Sequence, residues 1–234
     1  MKKHVGLPLV VGALLLCCLS RVSFVAAQGF DQPFDIRERV GINGSLFSMT
    51  QQGADVYVNW VERSSELPWY RVKLARSTNG GATFGEPAVL YTSDIIAIRT
   101  PELAVADGNV YVAFVLGLSP HDLFFCRSNE KAAACRLLLF DVDTHIDNLR
   151  LAAAGNRVYL AWNGLFFGHD VHLVYSTDGG LTFSDRVTLT NDPSVRRNVS
   201  QVTARGEHVY IRWGVETQQF LAHGRVAADE TEVR

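Results

Sequence analysis

Four side chains able to bind a hard cation alternate along one short stretch of the chain, DVDTHID (141–147). In an extended strand alternate residues project from the same side, so Asp141, Asp143, His145 and Asp147 would share one face. Carboxylate oxygens are the ligands that Ca²⁺ prefers. The stretch lacks the glycine turn of a calcium loop, however, and a polar link between two folded units explains it equally well. We therefore predict no metal site, and no phosphate-cradling loop suggests a cofactor.

The composition is that of a globular protein. Of the 234 residues, 47% are hydrophobic, which is enough for a sizeable core and excludes an intrinsically disordered chain. The formal net charge is -2 and no basic block occurs, so we expect no nucleic-acid partner.

Residues 1–27 have the pattern of a secretory signal peptide. Two lysines precede an apolar run, and small residues at 25–27 offer a cleavage site before Gln28. The alternative is an uncleaved membrane anchor, although the apolar run is short for a membrane span. We expect a secreted or cell-envelope protein, in which the sequons at Asn43 and Asn198 are glycosylated if the host does so.

Two stretches of nearly the same sequence, STNGGATF (77–84) and STDGGLTF (176–183), lie between short apolar runs. The paired glycines can adopt the positive φ angles that a tight turn needs, so each stretch predicts a hairpin. We expect Asn79 and Asp178 to accept hydrogen bonds from turn amides. The Ser and Thr hydroxyls would brace the loop, and the Phe would pack beneath it.

A second motif occurs four times, at intervals of 54, 48 and 51 residues. The copies are VYVNW (56–60), VYVAF (110–114), VYLAW (158–162) and VYIRW (209–213). A period near 50 is typical of β-propeller blades, small sheets that need their neighbours to bury their faces. Each copy is apolar on both faces, as expected of a sheet packed between two others. We predict an all-β chain.

The two glycine-rich stretches resemble the Asp-box repeat of sialidase-like β-propellers, S-x-D-x-G-x-T-[FW]. This resemblance implies four-stranded antiparallel blades, about four of them or an incomplete six-blade ring. One domain, 28–234, would hold blades near 44–91, 101–141, 147–190 and 198–226. The box positions are Ser77, Asn79, Gly81, Thr83, Phe84, Ser176, Asp178, Gly180, Thr182 and Phe183.

The second blade lacks the box. When RSTNGGATF (76–84) is aligned on it, Cys126 falls opposite Ala75 and Cys135 opposite Phe84. An even pair of cysteines in an exported chain favours a disulfide across this hairpin. The alternative is two free, buried thiols.

The fourth blade is incomplete, because only one strand candidate, QQFLAHGRV (218–226), and a polar tail follow VYIRW. The segment FDQPFDIRERV (30–40) is a candidate for the missing outer strand. The chain would otherwise form a small four-blade ring, an open arc completed by a second chain, or a shortened relative. An open arc exposes sheet faces, so we expect a homo-oligomer if the ring does not close.

The order of strands places the boxes on the same side as the turns between first and second strands. Longer loops gather on the opposite side, where we expect binding. For a sialidase, the resemblance implies arginines that hold the sugar carboxylate, a Tyr–Glu nucleophile pair and an Asp acid/base. The catalytic candidates are Arg99, Arg197, Asp94 and Glu102, and beyond them Arg37 or Arg39, Arg196 and Glu216.

Three departures weaken the sialidase interpretation. The F-R-I-P signature that precedes the first box in that family is absent, and no Tyr can be assigned as nucleophile. The Arg196-Arg197 pair is explained equally well as a solvated surface pair. We therefore predict an exported propeller module that binds a glycan or a protein without catalysis. The alternatives are a sialidase-like exo-glycoside hydrolase and a structural envelope component.

Overall fold

The computed structural model describes residues 35–40, 44–67, 70–94, 98–117, 122–129, 132–138, 145–165, 169–192 and 194–227. Residues from Ile36 onward form one unit. The expected signal peptide, the sequon at Asn43 and residues 141–144 of the acidic stretch lie outside the described ranges. Within these ranges, no helix is long and apolar enough to cross a membrane.

One short helix and two four-stranded antiparallel sheets make up the first half of the described chain. The helix is α1 (Ile36–Val40). The first sheet contains β1 (Gly44–Gln52), β2 (Asp55–Arg63), β3 (Tyr70–Ser77) and β4 (Ala88–Ser93). The second contains β5 (Ile98–Ala106), β6 (Asn109–Leu116), β7 (Asp122–Asn129) and β8 (Ala132–Leu138).

Two further sheets follow, and in each of the four the strands pair in chain order. The third sheet contains β9 (His145–Ala154), β10 (Arg157–Leu165), β11 (Val171–Ser176) and β12 (Val187–Thr188). The fourth has three strands in the described chain, β13 (Asn198–Arg205), β14 (His208–Val215) and β15 (Gln218–Arg225). Apart from the five-residue helix, the all-β prediction is confirmed.

The four VYV-type segments are the second strands of their sheets, and in the first three sheets both of their faces are buried. Tyr111 and Tyr159 are 0% exposed on one face, while Trp60 and Trp162 are at most 1% exposed on the other. Alternation with two apolar faces is what a sheet between two other sheets requires. Among the described residues of each sheet, these strands supply more of the buried hydrophobic side chains than any other strand.

Each sheet packs face to face on the next one along the chain. Phe114 lies between the first and second sheets, Trp162 between the second and third, and Ile211 between the third and fourth. The first strands β1, β5, β9 and β13 lie beside one another in that order. This is the arrangement of β-propeller blades, as the repeats predict. Within the described chain, no cluster of buried residues joins the first blade to the fourth.

The expectation that residues 30–40 add an outer strand to the fourth blade is wrong for their described part. Residues Ile36–Val40 form α1, and Ile36 packs with Val58, Trp60 and Ala75 on the outer face of the first sheet. The physical reason is twofold. Arginine and glutamate favour a helix over a strand, and the apolar face of the first blade offers Ile36 a place to bury its side chain.

The predicted disulfide between Cys126 and Cys135 is present, so the free-thiol alternative is wrong. The two cysteines face each other directly across β7 and β8. Cys126 is 1% exposed, and Cys135 packs against the first blade, with its Sγ 3.2 Å from Leu90 O. The bond therefore joins two strands at the interface between the first and second blades.

Candidate functional site

The first strands of the second, third and fourth blades each contain a β-bulge at a corresponding position. The extra residue lies just before Glu102 in β5, just before Arg150 in β9, and at Ser200 in β13. Bulges redirect side chains and are frequent beside functional sites. Glu102 and Arg150 occupy the same place in their repeats, eight residues before Val110 and Val158.

Glu102, Arg150, Ser200 and Arg212 form a polar group across three blades, which we call the inner-strand cluster. Arg150 Nη1 donates to Glu102 Oε1 over 3.0 Å and to Leu149 O over 2.7 Å. Arg150 Nε donates to Ser200 O over 3.2 Å. Arg212 Nε donates to Ser200 Oγ over 3.0 Å. Two guanidinium groups are therefore anchored to the same serine.

The cluster has an excess of positive charge and unused donors. Among the described residues, Arg150 Nη2 and both terminal nitrogens of Arg212 have no hydrogen-bond partner. Glu102 is the carboxylate that contacts Arg150, and their side chains are 22% and 30% exposed. Burial raises the pKa of Glu102, and the Arg150 guanidinium opposes this increase. The arrangement is suited to binding an anion, because two fixed guanidinium groups face one partly neutralising carboxylate.

Three asparagines support the cluster from the loop side. Asn148 lies in the β9 bulge with φ +49°, a left-handed conformation that asparagine tolerates better than most residues. Its Nδ2 donates to Asn163 Oδ1 over 3.0 Å and to Asn198 Oδ1 over 3.3 Å. Asn163 is 1% exposed and also accepts a hydrogen bond from Val199 N over 3.2 Å. These contacts connect the third and fourth blades and hold the bulge that orients Arg150.

Arg197 lies outside this cluster and has a structural position. It is 8% exposed, and its Nη1 donates to Asp192 O over 2.6 Å, to Val195 O over 3.0 Å and to Asp170 Oδ1 over 3.4 Å. These bonds fasten the loop before β13 to the start of β11. The interpretation of Arg196 and Arg197 as a solvated surface pair is wrong for Arg197, because its guanidinium is buried and hydrogen-bonded to loop carbonyls. Arg196 is exposed.

The remaining candidates do not converge. Arg99 is exposed in β5, Asp94 is exposed just after β4, and Glu216 is exposed in the turn between β14 and β15. Arg37 and Arg39 lie in α1. In the described chain, no hydrogen bond or ion pair joins any two of Arg99, Arg197, Asp94 and Glu102.

Three tyrosines of the VYV-type strands belong to the core, whereas the fourth, Tyr210, is 38% exposed. Tyr57, Tyr111 and Tyr159 are at most 4% exposed. Burial raises the pKa of both Tyr111 and Tyr159, so their phenolates are disfavoured. None of these three side chains is placed to attack a ligand bound at the inner-strand cluster.

The box residues form the tips of two hairpins. Ser77 Oγ accepts from Gly81 N over 2.9 Å, and Ser176 Oγ accepts from Gly180 N over 2.8 Å. Gly179 N donates to Asn156 O over 2.6 Å, which places the second hairpin beside the β9–β10 turn. The hydroxyl and amide groups of the boxes are thus used within the turns, on the side predicted from the strand order. The positions that complete these hairpins are Asn79, Thr83, Phe84, Asp178, Thr182 and Phe183.

Reasoning from sequence missed Arg150 and Arg212. The repeat spacing alone could have found the first of them, because Glu102 and Arg150 have opposite charge at equivalent positions of adjacent blades. The repeat spacing does not identify Arg212 as a member of the cluster, because its contact with Ser200 depends on the bulge in β13. In the described residues, no group of three or more His, Cys, Asp or Glu side chains is arranged to hold a metal ion.

The chain matches no known protein-family model and no curated protein. It is similar in structure to the Hadza microbial sialidase Hz136, with 12% sequence identity and a TM-score of 0.54 over 80% of this chain and 45% of that one. It is also similar to a PL25 polysaccharide lyase, an ulvan lyase, at 10% identity and a TM-score of 0.53 over 78% and 51%. Trypanosoma rangeli sialidase in complex with 2,3-difluorosialic acid matches at 10% identity and a TM-score of 0.51 over 80% and 36%.

These similarities establish the fold, which is the β-propeller of sialidases. The chain spans about half or less of the length of these solved structures. At such identity, the shared property is the stack of four-stranded blades, and the chemistry must be argued from the inner-strand cluster itself.

Proposed function

We propose that this chain is an exported β-propeller module that binds an anionic glycan at the inner-strand cluster. The observation that carries the proposal is that Arg150 and Arg212 are both anchored through Nε to Ser200, while Nη2 of Arg150 and both terminal nitrogens of Arg212 have no hydrogen-bond partner among the described residues. A guanidinium whose position is already fixed loses little conformational entropy on binding a carboxylate or sulfate. The signal-peptide pattern and the disulfide support export.

A glycan ligand suits the site better than a protein ligand. The cluster is small and polar, and its guanidinium groups can bind both the acidic groups and the hydroxyl groups of a sugar. The structural neighbours named above include sialidases and an ulvan lyase, proteins that act on glycans, which supports the same ligand class.

Sialidase-like hydrolysis is the second candidate, and one observation favours it. The pKa of Glu102 is raised by burial, which is the direction of change that a general acid requires. The three buried blade tyrosines supply no nucleophile, no hydrogen bond joins the exposed Tyr210 to Glu102 in the described chain, and the remaining catalytic candidates do not contact one another. We therefore place binding first.

Two measurements test the proposal. Isothermal titration with galacturonic acid and with sialyllactose should detect binding that Arg150→Ala and Arg212→Ala each weaken about tenfold, as expected for loss of one charge-assisted contact. Arg63→Ala, which removes an exposed arginine of the first blade, is the matched control. If the protein hydrolyses a fluorogenic sialoside, and both Glu102→Gln and Arg99→Ala abolish this turnover, sialidase-like hydrolysis is the function instead.

A further inference from the structure

One face of the fourth sheet is covered by no other sheet within the described chain. In β14, Val209 and Ile211 are buried against the third sheet, whereas His208, Tyr210 and Arg212 are exposed. The side carrying the exposed set is called the open face. Its composition shows what this end of the blade array can contact.

Three rows of side chains cross the open face, each with one residue from each strand. The rows are Gln201–Arg212–Leu221, Thr203–Tyr210–His223 and Arg205–His208–Arg225. The first and third rows carry arginines and lie about 14 Å apart at the rise of an extended strand. An aromatic row separates the two.

The aromatic row combines ring surface with polar groups, and Tyr210 in it is 38% exposed. The Tyr210 and His223 rings stack with centroids 4.6 Å apart and an angle of 14° between their planes. His208 Nδ1 lies 2.9 Å from His223 Nε2. Because Tyr210 and His223 cover each other's ring faces, a ligand meets mainly the phenol hydroxyl and the imidazole edges.

The open face is positively charged. Arg205 is exposed and has no partner in the described chain, and Arg212 keeps two free nitrogens. Arg225 is 68% exposed and donates through Nε to Glu207, which Arg157 shares. The open face therefore carries three guanidinium groups, and the carboxylate that contacts one of them, Glu207, is shared between Arg225 and Arg157.

The outer face of the first blade differs in chemistry from the open face, which argues against a second copy of the chain binding there through its first blade. The outer face of the first blade consists of Val58, Trp60 and Ala75, covered by Ile36 and Phe84. An apolar face that is already covered does not complement a cationic one. The polar outer face of the fourth blade is instead suited to contact with solvent or with a charged ligand.

We propose that the open face binds an extended acidic polysaccharide, whose anionic groups contact Arg212 at one end and Arg205 and Arg225 at the other. The proposal rests on the proposed function, since Arg212 belongs to both sites, and extends it from one acidic sugar to a polymer. The separation of the arginine rows requires several linked sugars, so a monosaccharide cannot reach both.

The test compares binding of polygalacturonate with that of galacturonic acid, by titration calorimetry on the full chain at low and at physiological salt. Arg205→Glu should weaken polymer binding at least about tenfold at low salt and leave monosaccharide binding unchanged. Arg63→Glu, the same charge reversal on the first blade, should leave both unchanged. Arg150→Ala should weaken both.

Each result is decisive for one proposal or the other. Equal weakening by Arg205→Glu and Arg63→Glu overturns the open-face site, because it indicates general charge attraction. Residues 228–234 contain three acidic side chains, and polymer binding that appears only after their deletion also overturns the open-face site. So does the finding of a dimer that Arg205→Glu dissociates. If Arg150→Ala leaves monosaccharide binding unchanged while Arg205→Glu still weakens polymer binding, the open-face site stands and the inner-strand site fails.

Discussion

Phe183 at the end of the third-blade hairpin packs edge-on against Phe125 of the second blade, with ring centroids 5.1 Å apart. Arg136 lies over the Phe183 ring at 5.5 Å and donates to the carbonyls of Gly180 and Leu181. The hairpin therefore fastens its own blade to the preceding one. In the first blade, which has no preceding blade in the described chain, the equivalent Phe84 packs on that blade's own outer face.

Gly180→Ala should destabilise the protein more than Gly81→Ala, although both glycines have positive φ, at +82° and +88°. A Cβ at Gly180 would meet the Phe125 ring at 2.5 Å, whereas one at Gly81 would have Val56 as its nearest contact at 3.9 Å. We expect a loss of about 1 to 2 kcal/mol at Gly81 from strain, and about 2 kcal/mol more at Gly180. Urea unfolding measures the difference, and equal losses would contradict the interblade contact.

Reduction of the Cys126–Cys135 bond should lower the free energy of unfolding by about 2 to 3 kcal/mol, because a disulfide with a sequence separation of 9 restricts the unfolded chain. Thermal unfolding with and without reductant measures the effect. The double variant Cys126→Ala/Cys135→Ala is the control and should be insensitive to reductant. A wild-type protein equally stable in both conditions would refute this role.

Asp178→Ala should cost about 2 kcal/mol, whereas Asp178→Asn should cost much less. Asp178 accepts hydrogen bonds from Leu181 N over 2.8 Å and Thr182 N over 2.9 Å. The first box shows that an amide can occupy this place, since Asn79 Oδ1 accepts from Thr83 N over 2.9 Å.

The charge at Asp178 should be visible in the pH dependence. Burial acts to raise the pKa of Asp178, but bonds from Thr182, Ser176 and Leu181 outweigh it and hold the pKa below its ordinary value. The stabilisation is therefore complete above the ordinary carboxyl pKa and is lost as pH falls through the lower folded value. Asp178→Asn should lack this loss, as measured by unfolding between neutral and acidic pH.

The blades were predictable from sequence because they repeat. Four VYV-type strands at nearly constant intervals determine the strand order, and the alignment of one hairpin on the next placed Cys126 opposite Cys135. The short helix at Ile36–Val40 was not predictable in the same way. It occurs once, and a five-residue segment has no periodic signal.

The inner-strand cluster was only half predictable. Glu102 was among the candidates, but its partner Arg150 reaches it from the adjacent blade, just after a bulge of one extra residue. A single inserted residue changes which side of the strand a side chain leaves, and repeat counting does not detect it. The burial of Arg197 was not predictable either, because it depends on contacts with carbonyls of its own loop and not on its residue type.

A buried histidine gives the last prediction. His172 is 7% exposed, with its ring 5.7 Å from that of Trp162 and its Nδ1 3.2 Å from Thr188 Oγ1. Burial, with a smaller contribution from Arg186, lowers its pKa from the ordinary value of 6.5 to about 4. Between these two values the unfolded chain binds a proton that the folded chain does not, so stability must fall as the pH falls.

From above pH 6.5 down to about pH 4, this single group should remove about 3 kcal/mol of unfolding free energy. His172→Gln keeps a polar atom for Thr188 and removes the titration. The other ionisable groups are common to both proteins, so the difference between their stability curves isolates His172. Chemical unfolding at several pH values should show the variant losing less stability on acidification, and parallel curves would mean that the imidazole is not held neutral by its burial.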